Sequence, residues 1–238
     1  MIDYNKTTIA EAILIQEEFR KQLKFEVPDD AHIQTIAGAD ISFNKNSNTL
    51  YAAIVMLSYP QMVLKSYALV TAETEFPYIA GFLGFREVPA LLKAWELILE
   101  KPDLVVLDGQ GILHPRRMGI ASHFGVLTQT PTIGCAKNSL YGLYTEPNVA
   151  KYSTSSIEEK QTHVHIGYAL RTKDHTKPIY VSPGYGLSLP KSLVVMKKCI
   201  GRYRIPEPTR IAHEIVNEFR LGKLKAGLTF IDQIPELF

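Results

Sequence analysis

Two hydrophobic periods alternate along this chain. Thr8-x-x-Glu11 has capping-box spacing and opens a stretch with apolar Ile9, Ile13, Leu14 and Phe19, which predicts a helix through about Leu23. Period-two patterning then predicts strands at Thr35–Phe43, Leu50–Ser58 and Met62–Ala72, the last two joined by a turn around Tyr59-Pro60. Short connections make these three an antiparallel meander. A glycine-rich loop, Phe76–Phe85, precedes a helix at Val88–Glu100 with Pro89 in its first turn and a core side of Leu91, Leu92, Trp95, Ile98 and Leu99. Asp103–Leu107 reads as a short strand, Gly119–Thr128 as a helix and Thr132–Ala136 as another strand. Strands at Val164–Thr172 and Ile179–Val181 and helices at Leu189–Ile200 and Thr209–Phe219 complete the pattern. The helix–strand alternation adds parallel strands beside the meander, so the fold class is α/β: a mixed sheet flanked by helices.

Composition narrows the function only a little. With 238 residues, 46% of them hydrophobic, the chain can bury one substantial core, and residues 1–238 read as a single domain. No apolar run reaches membrane-spanning length. Cys135 and Cys199 stand alone, outside any metal-like spacing, which fits a reduced, cytoplasmic setting. The net charge of +2 says little, but Lys191, Lys197, Lys198, Arg202 and Arg204 form a basic stretch without an acidic residue. Such a stretch can attract phosphates, although by itself it reads better as a solvated helix face.

Three carboxylates fall where a core has no use for them. Asp40 sits mid-strand, on the face shared by Gly38 and Ser42, opposite Ala37, Ala39, Ile41 and Phe43. A carboxylate buried there needs a cationic partner. Asp108 ends an apolar strand just before Gly109-Gln-Gly111, at the carboxyl edge where α/β sheets gather their sites. Glu87 lies at the start of a helix. Singly, each has an ordinary explanation: an ion pair, an Asp-Gly turn, a favourable charge at a helix N-terminus. Jointly they form an oxygen-rich set suited to Mg²⁺ or Mn²⁺. Ions of this kind promote phosphodiester cleavage.

Six segments carry a more specific signal: Ala37-Gly-Ala-Asp-Ile-Ser-Phe43, Phe76-Pro-Tyr-Ile-Ala-Gly-Phe-Leu-Gly-Phe-Arg-Glu87, Leu107-Asp-Gly-Gln-Gly-Ile-Leu-His-Pro-Arg116, Gly119-Ile-Ala-Ser-His-Phe-Gly125, Pro131-Thr-Ile-Gly-Cys-Ala-Lys137 and Pro206-Glu-Pro-Thr-Arg-Ile-Ala-His213. In order and spacing they resemble the endonuclease V family, the deoxyinosine 3′-endonucleases, over most of the chain. The resemblance implies a ribonuclease-H-like fold. It implies metal ligation by Asp40, Glu87 and Asp108, His213 near the attacking water, and Lys137 beside the phosphate charge. Periodicity independently puts His213 on the polar side of its helix with Arg210 and Asn217, away from Ala212, Ile215, Val216 and Phe219.

Pro77-Tyr-Ile-Ala80 resembles the family's strand-separating wedge, with Tyr78 stacking on a base. Many members carry a second proline where Ala80 stands. Gly81, Leu83, Gly111 and Ile120 match the pocket for an extruded base, and His114 matches a supporting or DNA-contacting group. The resemblance thus implies Mg²⁺-dependent hydrolysis (Mn²⁺ substituting) of the second phosphodiester bond 3′ to deoxyinosine in DNA, by a monomer and with no membrane partner. An inosine-specific ribonuclease of the same family is the alternative. A non-catalytic nucleic-acid-binding protein ranks below both, because all three carboxylates are present.

Overall fold

The computed structural model describes residues 2–25 and 33–231. The capping box forms as expected at α1 (Ile9–Lys21): the Glu11 N–H donates to Thr8 Oγ1, and the Thr8 N–H to Glu11 Oε2. Its buried face is Ala12 and Gln16, whereas Leu14 is 64% exposed. The helix rests on a local aromatic cluster, Phe76, Phe82 and Phe85, which takes Ala12, Ile13 and Ile15 and leaves Leu14 outside.

The meander is β1 (Thr35–Phe43), β2 (Thr49–Ser58) and β3 (Leu64–Glu73), antiparallel throughout. Next, α2 (Leu83–Leu97) begins five residues before the expected Val88. Phe82 and Phe85 pack into the aromatic cluster and draw the end of the glycine-rich loop into helix. Glu87 therefore sits in the second turn, and Pro89 lies inside the helix. Leu91, Trp95 and Ile98 are buried, but Leu99 is past the last turn and 77% exposed.

The rest of the chain adds β4 (Leu104–Leu107), α3 (Ile120–Thr128), β5 (Thr132–Ala136), β6 (Thr154–Glu158), β7 (His165–Leu170), β8 (Ile179–Tyr185), α4 (Leu189–Lys198), α5 (Glu207–Arg220) and β9 (Gly227–Phe230). The strands form one nine-stranded sheet in the order β6-β7-β8-β5-β4-β1-β2-β3-β9. Only β1–β4 and β4–β5 pair in parallel. The sequence pattern misses β6 and β9, and it ends β8 at Val181, before Pro183 and Gly184. The strand continues through them because Pro183 falls at a register irregularity opposite Ile133, where a ladder N–H is dispensable.

Alternation assigns the two faces. Ala37, Ala39, Val105 and Leu107 pack under α2 and α3. Ile36, Leu104, Val106, Ile133 and Cys135 pack under α4 and α5. Asp40, Asp108 and Lys137 continue this second register, so all three point toward the α5 side. Gly38 lets α5 approach closely: a Cβ there would stand 1.9 Å from the Pro208 carbonyl oxygen. Among the described residues, no helix is long and apolar enough to cross a membrane.

Candidate active site

Parallel pairing of Ala39 with Leu107 makes Asp40 and Asp108 neighbours at the carboxyl ends of adjacent strands, and the Asp108 N–H donates to the Ala39 carbonyl at 3.2 Å. From α5, His213 Nδ1 meets Asp40 Oδ2 at 2.8 Å. From the end of β5, Lys137 Nζ pairs with Asp108 Oδ2. Among the described residues, ligand atoms of Asp40, Asp108 and His213 lie within 4.8 Å of one another. Glu87, the expected third carboxylate, is outside that tight group. The reason is topological: α2 covers the opposite face, while α5 covers the face that carries Asp40.

Glu87 nevertheless feels the group. Burial, then the charges of Asp40 and Asp108, push its carboxyl up to about 8, against the opposing pull of Arg86. Burial and Asp40 also raise Asp108, with Lys137 opposing. The hydrogen bond to Asp40 raises His213. Burial would lower Lys137, but Asp108 outweighs it and holds the ammonium charged. The set is thus rich in hard oxygen donors and short of positive charge, which is the chemistry of a divalent-cation site.

Stability without a cation should follow Glu87. Its folded pKa exceeds the ordinary 4.5, so between pH 4.5 and about 8 the folded state keeps a proton that the unfolded chain has released. Stability then falls as pH rises through that window. In EDTA, Tm is expected to drop from about pH 5 to about pH 8, and Glu87→Gln to flatten the drop. Parallel slopes for the two proteins would mean that Glu87 is charged in the folded state.

Several supporting residues escaped the sequence reading. Asn217 Nδ2 donates to the His213 carbonyl at 2.8 Å and meets His213 Nε2 at 3.2 Å. Its Oδ1 accepts from Ser42 Oγ, which in turn accepts from Arg220 Nε. Arg204, from the basic stretch, donates inward to the carbonyls of Lys137 and Pro178. Helical spacing could have linked Asn217 to His213, but the Arg204 contact spans 67 residues and has no local signature.

Beyond the carboxylates, Pro77, Tyr78, Ile79 and Ala80 form an exposed loop, with Tyr78 69% exposed and tilted 6.5 Å from Phe43. Gly81 follows at φ +83°, a left-handed conformation that suits glycine. Behind it lies a cavity of about 50 Å³, walled by Gly81, Leu83 and Gly84 on one side and by Met118, Gly119 and Ile120 on the other. Gln110, His114 and Leu140 complete it. Gly111 does not line this cavity. Its N–H donates to Ser182 Oγ, and a Cβ there would meet the Pro183 carbonyl at 2.1 Å, so the glycine serves packing against β8. His114 is buried, with Nδ1 accepting from the Arg116 and Met118 N–H groups and Nε2 therefore donating to the Gly81 carbonyl. Burial and Arg116 push it down to about 4, so it stays neutral near neutral pH.

Sheet order and site together define a nuclease of ribonuclease-H-like architecture. The endonuclease V family model matches residues 17–214. The endonuclease V of Trichormus variabilis is 43% identical over 210 residues, covering 88% of this chain and 94% of that protein. The chain belongs to the endonuclease V family. The crystal structure of endonuclease V from Streptomyces avermitilis superposes with a TM-score of 0.85 at 33% identity, covering 92% of this chain and 95% of that one. The Ciona intestinalis enzyme, solved in complex with a 24mer DNA containing an inosine followed by a ribo-adenosine, gives 0.80 at 28% identity, over 91% and 99% of the two chains.

Proposed function

We propose that this nuclease recognises deoxyinosine in DNA and hydrolyses the second phosphodiester bond on its 3′ side, leaving 3′-hydroxyl and 5′-phosphate ends. The observation that carries this reading is the convergence of Asp40, Asp108, His213 and Lys137 beside a loop with an exposed aromatic and a glycine-walled cavity. The Ciona complex supports the lesion assignment. Asp40 and Asp108, with Glu87 alongside, would hold Mg²⁺, or Mn²⁺ in its place. When bound, such an ion makes water a stronger nucleophile and neutralises charge on the leaving oxygen.

The protein's own groups do the rest. His213 hydrogen-bonds Asp40 through Nδ1, so Nε2 is the atom that can take or give a proton at the half-exposed edge of the site. The Lys137 ammonium stabilises negative charge on the phosphate. Tyr78 stacks at the gap left by the extruded base, with Pro77 and Ile79 bracing the loop. Gly81, Leu83 and Ile120, backed by His114, receive the base. A mismatched base is cheapest to unstack, which favours inosine pairs.

The test is a Mg²⁺-dependent nicking assay on paired oligonucleotides carrying deoxyinosine, riboinosine or no lesion. A nick one nucleotide beyond the deoxyinosine's own 3′ bond is expected. Preference for riboinosine would assign the enzyme to RNA instead, and cleavage indifferent to inosine would remove the lesion reading. Tyr78→Ala should weaken binding to inosine duplexes by roughly 1–3 kcal/mol, the worth of a base stacked on an aromatic ring. Unchanged affinity would make Tyr78 a bystander.

A further inference from the structure

One buried amide on α1 touches both walls of the cavity. Gln16 is fully buried, and its partners all lie far along the chain. Its Nε2 donates to the Gly81 carbonyl at 2.9 Å and lies 3.3 Å from the Met118 carbonyl. Its Oε1 accepts from Arg116 Nε. The Gly81 oxygen also receives His114 Nε2 at 3.0 Å and Arg116 Nη2 at 3.1 Å, so three donors converge on one carbonyl. Gly81 begins one wall, directly after the Tyr78 loop. Met118 begins the other and leads into Gly119 and Ile120. The Arg116 guanidinium lies 4.4 Å above the Phe82 ring, next to Gly81.

We propose that Gln16 is a positioning residue for lesion recognition: its amide ties the Gly81 wall to the Met118 wall and so fixes the width of the slot that accepts the base. The inference rests on the reading of that cavity as the base pocket. Gln16 faces none of the metal-site carboxylates among its hydrogen-bond partners, so its contribution is to selectivity and not to the chemical step. It also stands one residue before the stretch that the family model matches, on an element whose sequence pattern shows only a capped amphipathic helix. A buried side chain whose donor and acceptor are both satisfied fixes geometry more tightly than an apolar one of the same size. A displacement near 1 Å at a recognition site is costly even when the mutated residue is distant from the reacting atoms.

The test compares wild type with Gln16→Met, which keeps the volume, and Gln16→Glu, which keeps the acceptor for Arg116 but loses the donor to both walls. Each is assayed with Mg²⁺ on an inosine duplex and on the matched undamaged duplex. Both variants should raise KM on inosine by roughly 10- to 100-fold, keep kcat within about threefold, and lower the ratio of inosine to background nicking in step with KM. A loss shared equally by the two substrates, or an unchanged ratio, would overturn the inference. Should both Gln16 variants fail to fold, Arg116→Leu at the half-buried rim replaces them and is judged by the same ratio. A wild-type enzyme with no preference for inosine would instead overturn the pocket reading, and this inference with it.

Discussion

Asp108→Asn and, separately, Asp40→Ala should each cut nicking in Mg²⁺ by at least roughly a thousandfold, equivalent to about 4 kcal/mol of transition-state stabilisation. The two carboxylates are adjacent because β1 and β4 run parallel in register. The Asn variant keeps the shape of the side chain and removes only the charge that pairs with Lys137. Inosine-duplex binding should survive in both, because the Tyr78 loop and the cavity are built from other elements. Folding should survive as well. Removing one of several crowded like charges relieves repulsion on Glu87, whose carboxyl is raised in part by Asp40 and Asp108. Nicking within tenfold of wild type by either folded variant would remove these residues from the site.

The second large effect lies away from the chemistry. Gly38→Ala would set a Cβ 1.9 Å from the Pro208 carbonyl oxygen and 2.9 Å from its Cα. Both neighbours are backbone, so no rotamer change relieves the clash and α5 must lift from β1. Overpacking of this kind costs about 3 kcal/mol or more. Because α5 carries His213, the methyl should also pull the imidazole away from Asp40. Activity should therefore fall further than the folded fraction does, as denaturant melts and nicking rates at a temperature where the variant is folded would show. A variant with wild-type stability and rate would mean that α5 slides without cost.

Much of this architecture was legible because local period and global burial agree. β1 and β5 match their expected bounds, and alternation alone put Asp40 on the side opposite Ala37 and Ala39. His213 was legible as a polar position on an amphipathic helix. What escaped were features decided by distant partners. The early start of α2 depends on Phe76, Phe82 and Phe85 meeting α1. β9 exists because Ser66–Leu69 offers it an edge, and Gly227–Phe230 is too short for its own pattern to mark a strand. Leu14 and Leu99 fit helical spacing, yet among the described residues both stay exposed. That His213 lies closer to Asp40 and Asp108 than the expected third carboxylate follows from which face α5 covers, and that is topology, beyond the reach of spacing. Gln16 has no local signature, because its hydrogen-bond partners lie 65 to 102 residues away.

The span of the Asp40–His213 contact has a consequence for how the enzyme comes into being. Its two partners are 173 residues apart, and the helix that brings the histidine is the last one among the described residues. At ordinary rates of translation, roughly 10–30 s pass between the synthesis of the strand and of that helix. Throughout that interval the growing polypeptide carries its carboxylates without the imidazole. The arrangement of Asp40, Asp108, Lys137 and His213 is therefore completed only once the last of these elements has been made.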